Sequence, residues 1–170
     1  MADEDDHSSL EPRWPDAADL VRLCSNLNSA GARYIVVGGM AIIRHGFGRA
    51  TMDIDLIVDS SDENFARVKE AMLKLPDGAI AEVQPGELDE FVVIRVADEI
   101  VVDLMKSACG IDYAGAEKEI EWHEIQGVRI PFASPELLWK LKQTHREKDV
   151  LDRQFLAELL KKRGKFYPPA

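Results

Sequence analysis

Two aspartates, Asp53 and Asp55, interrupt the apolar stretch from Met52 to Val58, where a buried strand would favour valine or isoleucine. Side chains alternate along a strand, so both carboxylates face one way while Ile54, Leu56 and Val58 face the other. Two carboxylates this close repel, and each raises the pKa of the other unless a cation lies between them. Oxygen ligands of this kind, with room left for phosphate oxygens, suit Mg²⁺. A third candidate is Asp103 in "EIVVDLM", where Ile100, Val102 and Leu104 take one face and leave Asp103 on the other. An aspartate in so apolar a run is costly without a partner. If its strand neighbours Met52–Val58, three carboxylates meet at one place, and two metal ions bridged by them can hold the attacking and leaving oxygens of a phosphoryl reaction.

Upstream, the apolar run Tyr34 to Val37 feeds into Gly38-Gly39 and then a short helix, Met40 to Arg44. Free backbone N–H groups at such a turn form an anion site, and a residue without a Cβ lets phosphate approach closely. Taken singly, each motif has a plain structural explanation. Asp-Ile-Asp also reads as the exposed half of an edge strand, and a glycine pair as a turn that needs positive φ. Their combination describes a site for a nucleoside triphosphate with Mg²⁺.

These residues must be carried by some framework. Pro15-Asp16 opens a helix to about Ala30, with Leu20, Leu23, Cys24 and Leu27 on one face. Tyr34–Val37 and Met52–Val58 are strands, and Ser60 with Glu63 reads as the capping box of a helix whose stripe is Phe65, Val68, Met72 and Leu75. Ala79–Val83 reads as a strand. Phe91–Val96 and Ile100–Met105 read as a hairpin around Ala97-Asp98-Glu99, and Val128–Phe132 as a last short strand. Ser134-Pro135-Glu136 starts a helical stretch to about Arg163, with a break expected near Thr144–Glu147. The order predicts an α+β domain: a mixed sheet flanked by helices, with a C-terminal helical unit. The expected divisions are an acidic disordered tail over 1–14, a core over 15–132, the helical unit over 133–164 and a short tail over 165–170.

With the motifs in place, the chain resembles the nucleotidyltransferase superfamily that includes DNA polymerase beta. The likeness rests on Val37-Gly38-Gly39, then thirteen residues, then Asp53-Ile54-Asp55-Leu56, with Asp103 as the later carboxylate. It is more similar still to the small bacterial abortive-infection and toxin-type members, through Gly38-Gly39-Met40-Ala41, Arg49-Ala50-Thr51-Met52-Asp53, and Lys142 followed by Arg146-Glu147-Lys148-Asp149-Val150-Leu151-Asp152. The departure is glycine, not serine, after Gly38. The resemblance implies a nucleotidyltransferase-like fold and Mg²⁺-dependent transfer of a nucleoside monophosphate from an NTP to an acceptor hydroxyl, releasing pyrophosphate. The acceptor would be an RNA end, a protein or a small molecule such as an antibiotic. It further implies that Asp53, Asp55 and Asp103 hold two Mg²⁺ ions and serve catalysis. Gly38, Gly39, Arg49, Thr51 and Lys142 would contact nucleotide, and Asp149 would anchor Lys142 from one helix to the next. A non-catalytic partner of a toxin–antitoxin pair is the alternative, and a homodimer is compatible with either.

Composition narrows the field. A net charge of −10 repels phosphate backbones and argues against a broad nucleic-acid groove. Basic residues nevertheless gather late, from Lys140 to Lys165, either as a solvated helix face or as a local nucleotide contact. No apolar run approaches the length of a membrane span. The two cysteines, Cys24 and Cys109, make no disulfide or metal pattern, which fits a reduced cytoplasm.

Overall fold

The computed structural model describes residues 11–169. In chain order the elements are α1 (Ala17–Ser29), β1 (Tyr34–Val37), α2 (Gly38–Arg44), β2 (Asp53–Val58), α3 (Asp62–Met72), α4 (Glu87–Glu90), β3 (Ile94–Ala97), β4 (Val101–Met105), β5 (Ser107–Ala108), β6 (Ile111–Asp112), α5 (Tyr113–Ala116), β7 (Ile120–Ile125), β8 (Val128–Ala133), α6 (Pro135–Leu141) and α7 (Glu147–Lys162). Six strands form one sheet in the order β3-β4-β2-β1-β8-β7, and β5 with β6 form a separate ribbon. The sheet is mixed: β2 runs parallel to β4 and β1 parallel to β8, while β1–β2, β3–β4 and β7–β8 are antiparallel. Helices flank it, as the sequence pattern predicts.

All four residues of β1 are buried, as a strand in the middle of a covered sheet requires. In β2 the burial alternates through Asp53, Ile54, Asp55 and Leu56, and only the apolar members are fully buried. That alternation sends Ile54 and Leu56 into the core with Ile35, Val102, Leu104 and Phe132. α1 begins with a capping box between Asp16 and Asp19, and packs against α3 and β8. α6 begins at the N-cap Ser134 with Pro135 in its first turn, and the expected break falls between Leu141 and Glu147.

Several details differ from the sequence pattern, among them the first strand of the hairpin, which runs over Ile94–Ala97. The N-cap of α3 is Ser61, whose side chain accepts from the Asn64 N–H, because Asn64 is itself held by the carbonyls of Arg33 and Asp59. Residues Ala79–Glu82 form a 3₁₀ turn instead of a strand, following Gly78 at φ +59°. The carboxylate of Asp98 fixes that turn by accepting from the N–H groups of Asp77 and Ala79. The last strand has a partner, β7, joined through Gln126-Gly127, both at positive φ. Of the expected tail, residues 1–10 lie outside the described residues. Arg13 is engaged: its N–H donates to the Glu99 carbonyl and its guanidinium to Asp19. At the other end, Trp139 donates from its indole N–H to the Pro168 carbonyl and meets Tyr167 edge to face.

Candidate active site

The register of the central strands decides where the carboxylates meet. Asp55 on β2 stands directly opposite Asp103 on β4, and Val37 at the end of β1 stands opposite Asp55 from the other side. Residues directly opposite share a face, so Asp53, Asp55 and Asp103 project together. One oxygen from each lies within 4.8 Å of the others. Burial, followed by the negative charges of Asp53 and Asp103, pushes Asp55 up to about 7. Such a cluster is stable in its charged form only with cations among it.

Gly38 abuts this cluster. Its φ is +64°, and a Cβ there would lie 2.0 Å from Oδ2 of Asp55. A Cβ on Gly39 would lie 2.5 Å from Oγ1 of Thr51. Gly38 is thus dictated twice, by its positive φ and by the Asp55 side chain wedged against it, and Gly39 by the close approach of Thr51. Thr51 is buried behind the turn and donates to the Asp53 carbonyl, which fastens the entry to β2.

A cavity of about 540 Å³ opens over the three aspartates and the glycine turn. Lys142, Arg146 and Lys148 also line it, together with the exposed Val92 and Val93. Lys142 is only 6% exposed, and its Nζ lies 3.2 Å from Asp149 and 3.0 Å from Asp152. Burial pushes Asp149 up, but hydrogen bonds from Arg146 and Thr144 and the charge of Lys142 outweigh it and hold the group at about 2. Asp152 is fully buried and accepts two hydrogen bonds from Arg49, at 3.1 and 3.0 Å. Arg153 donates to the carbonyls of Lys142 and Thr144, closing the link between α6 and α7.

The sequence-predicted residues therefore fall into two groups. Asp53, Asp55, Asp103, Gly38, Gly39 and Lys142 line one cavity. Arg49, Thr51 and Asp149 stand behind its wall. The guanidinium of Arg49, expected to meet the triphosphate, is instead given to Asp152, because a fully buried carboxylate needs an ionic partner. The late basic cluster divides likewise. Arg146 and Lys148 reach the cavity, whereas Lys140, Arg163 and Lys165 pair with Glu119, Glu121 and Glu136 at the surface.

Three participants escaped the sequence reading as individual site residues. Arg146 and Lys148 stand in the late basic run and in the motif that follows Lys142, with no role of their own assigned. Arg95 was not singled out, yet it stands opposite Asp103 on the edge strand β3. Its Nε and one Nη donate to Asp103 at 3.0 and 2.9 Å, and the same Nη lies 3.2 Å from Asp53. A positive group thus already sits on two of the three carboxylates. The donor set fits a divalent metal: three hard carboxylate ligands, oxygens within reach of one ion, and a cation attracted to the same place.

No family model matches the chain, and no curated protein matches its sequence. Solved structures do. A proposed nucleotidyltransferase from Thermotoga maritima superposes with a TM-score of 0.51 at 19% identity, covering 92% of this chain and 98% of that one. A proposed nucleotidyltransferase from H. pylori aligns over 85% of this chain and 70% of its own, at 19% identity and a TM-score of 0.45, which adds nothing to the fold assignment. The fold is nucleotidyltransferase-like: a six-stranded mixed sheet flanked by helices. Among the described residues, no helix is long and apolar enough to cross a membrane.

Proposed function

We propose that this protein transfers a nucleoside monophosphate from an NTP to an acceptor hydroxyl, with two Mg²⁺ ions as cofactors. The observation that carries the reading is the convergence of Asp53, Asp55 and Asp103 on one face, against Gly38, in a cavity also lined by Lys142, Arg146 and Lys148. In this reaction the acceptor oxygen bonds to the α-phosphorus, the bond from that phosphorus to the β-phosphate oxygen breaks, and pyrophosphate leaves. Asp53, Asp55 and Asp103 would hold the metal, which when bound offsets charge on the phosphates and on both reacting oxygens. Asp103 receives the acceptor's proton. Gly38 and Gly39 line the cavity, and their backbone would face the β and γ phosphates. Lys142 supplies fixed positive charge from a buried position, where a preorganised cation acts more strongly than in water.

Arg49, Thr51, Asp149 and Asp152 act through others. Asp149 and Asp152 clamp Lys142 from two sides, and Arg49 ties Asp152 to the segment that leads into β2. Lys142 and the carboxylates are thereby held in one register, although they come from opposite ends of the chain.

Pyrophosphate release from each of the four NTPs tests the proposal, with Mg²⁺ or EDTA and with RNA, protein and aminoglycoside acceptors supplied in turn. The expected result is Mg²⁺-dependent release with at least one pairing, abolished by Asp53→Ala. Failure of the protein to bind any NTP in Mg²⁺ overturns the proposal.

A further inference from the structure

The position of Arg95 has a consequence for how such a site fills. Its guanidinium makes a fork on Asp103 and reaches Asp53, using the same carboxylate oxygens that a divalent ion would need. Two features set it apart from a buried structural pair. The side chain is 61% exposed, on the edge strand of the sheet. Among the described residues, every hydrogen bond of its guanidinium is to these two carboxylates. It contrasts with Lys142, which is 6% exposed and clamped between two carboxylates of its own. An arginine fork matches carboxylate and phosphate geometry equally well, and Arg95 lines the cavity that reaches the glycine turn.

Resting on the nucleotidyl-transfer reading, we propose that Arg95 is a two-position residue. In the metal-free chain it rests on Asp103 and Asp53 as a tethered counter-cation. When a divalent ion takes those oxygens, Arg95 leaves them and pairs with the triphosphate of the bound nucleotide. Loading is then an exchange: the guanidinium gives up two carboxylates and gains phosphate oxygens in the same cavity. Arg95 opposes the metal alone and assists the nucleotide, a combination that a structural ion pair does not produce and that a general field effect would produce from Lys106 as well.

The test measures two affinities on the wild type and Arg95→Ala. The first is Mn²⁺ alone, followed by the loss of its free-ion paramagnetic signal. The second is a non-hydrolysable NTP analogue in saturating Mn²⁺, followed by calorimetry. Lys106→Ala, which removes an exposed cation paired with Asp89, is the field control. Arg95→Ala should bind Mn²⁺ about fivefold more tightly, the factor corresponding to an exposed ion pair that no longer competes. It should bind the analogue at least fivefold more weakly, with the control near wild type in both. If Arg95→Ala weakens both affinities, Arg95 merely shapes the carboxylates and the inference fails. If it changes neither, or if Lys106→Ala reproduces both effects, the inference fails too, while nucleotidyl transfer stands. A wild type that binds neither Mn²⁺ nor the analogue overturns both together.

Discussion

Replacing Asp55 by asparagine should stabilise the metal-free protein while removing its activity. Asp55 is pushed up from 3.8 to about 7 by burial and by Asp53 and Asp103. Its folded pKa lies above its unfolded value, so folding favours the protonated form. Stability on this account is full below about pH 4 and falls as the pH rises through about 7. Each tenfold step in acidity is worth about 1.4 kcal/mol, so the charged group costs on the order of 4 kcal/mol. Solvent in the cavity reduces this to about 2–4 kcal/mol. For a domain of this size each kcal/mol moves the melting temperature by about 2–4 °C, which gives a gain of roughly 5–15 °C for Asp55→Asn at pH 8 in EDTA. The gap should narrow to a few degrees at pH 5. Saturating Mg²⁺ should raise the wild type by a comparable amount, since a ligand at a hundred times its Kd contributes about 2.7 kcal/mol, and should raise the variant little. Thermal unfolding between pH 5 and 8 measures all of this. A variant that melts at or below the wild type at pH 8, or a gap that ignores pH, refutes the reasoning.

Three other outcomes follow from the same geometry. Gly38→Ala forces a Cβ into the left-handed region and onto the Asp55 carboxylate, and should cost about 2–4 kcal/mol by urea denaturation and abolish NTP binding. Asp152→Ala takes from Arg49 its buried carboxylate partner and leaves Lys142 with Asp149 alone, and should cost about 3–5 kcal/mol, with a rise in KM for NTP larger than the fall in kcat. Asp149 is held at about 2, so its contribution is present above its ordinary pKa of 3.8 and is lost as pH falls from about 4 to 2. Asp149→Asn should accordingly flatten the acid limb of the stability curve in that window.

Much of this was legible in the sequence because it rests on local periodicity. Alternation in Met52–Val58 is enough to put Asp53 and Asp55 on one face, and the Ser134-Pro135 cap to start α6. That Asp103 joins them depends on β4 lying beside β2, which the parallel register shows. Arg95 escaped for a physical reason. A turn at Ala97-Asp98-Glu99 places Val96 opposite Ile100 and Val93 opposite Asp103. In the folded chain Ala97 stands opposite Val101, which brings Arg95 to Asp103. Asp98 anchors this turn: its carboxylate accepts from the Glu99 N–H and from the N–H groups of Asp77 and Ala79, and the latter two are long-range contacts without a local signature. Arg49 likewise reads as a free cation until its partner Asp152, 103 residues away, is known. β7 was missed because Glu121, His123 and Glu124 give it no apolar face: it is an edge strand with polar residues on both sides.

The most direct measurement of the central claim is a crystal structure of the protein soaked with a non-hydrolysable NTP analogue and Mg²⁺. The account predicts metal density among Asp53, Asp55 and Asp103, and a triphosphate against Gly38 and Gly39. A nucleotide bound elsewhere, or Asp103 turned away from the other two carboxylates, would contradict it.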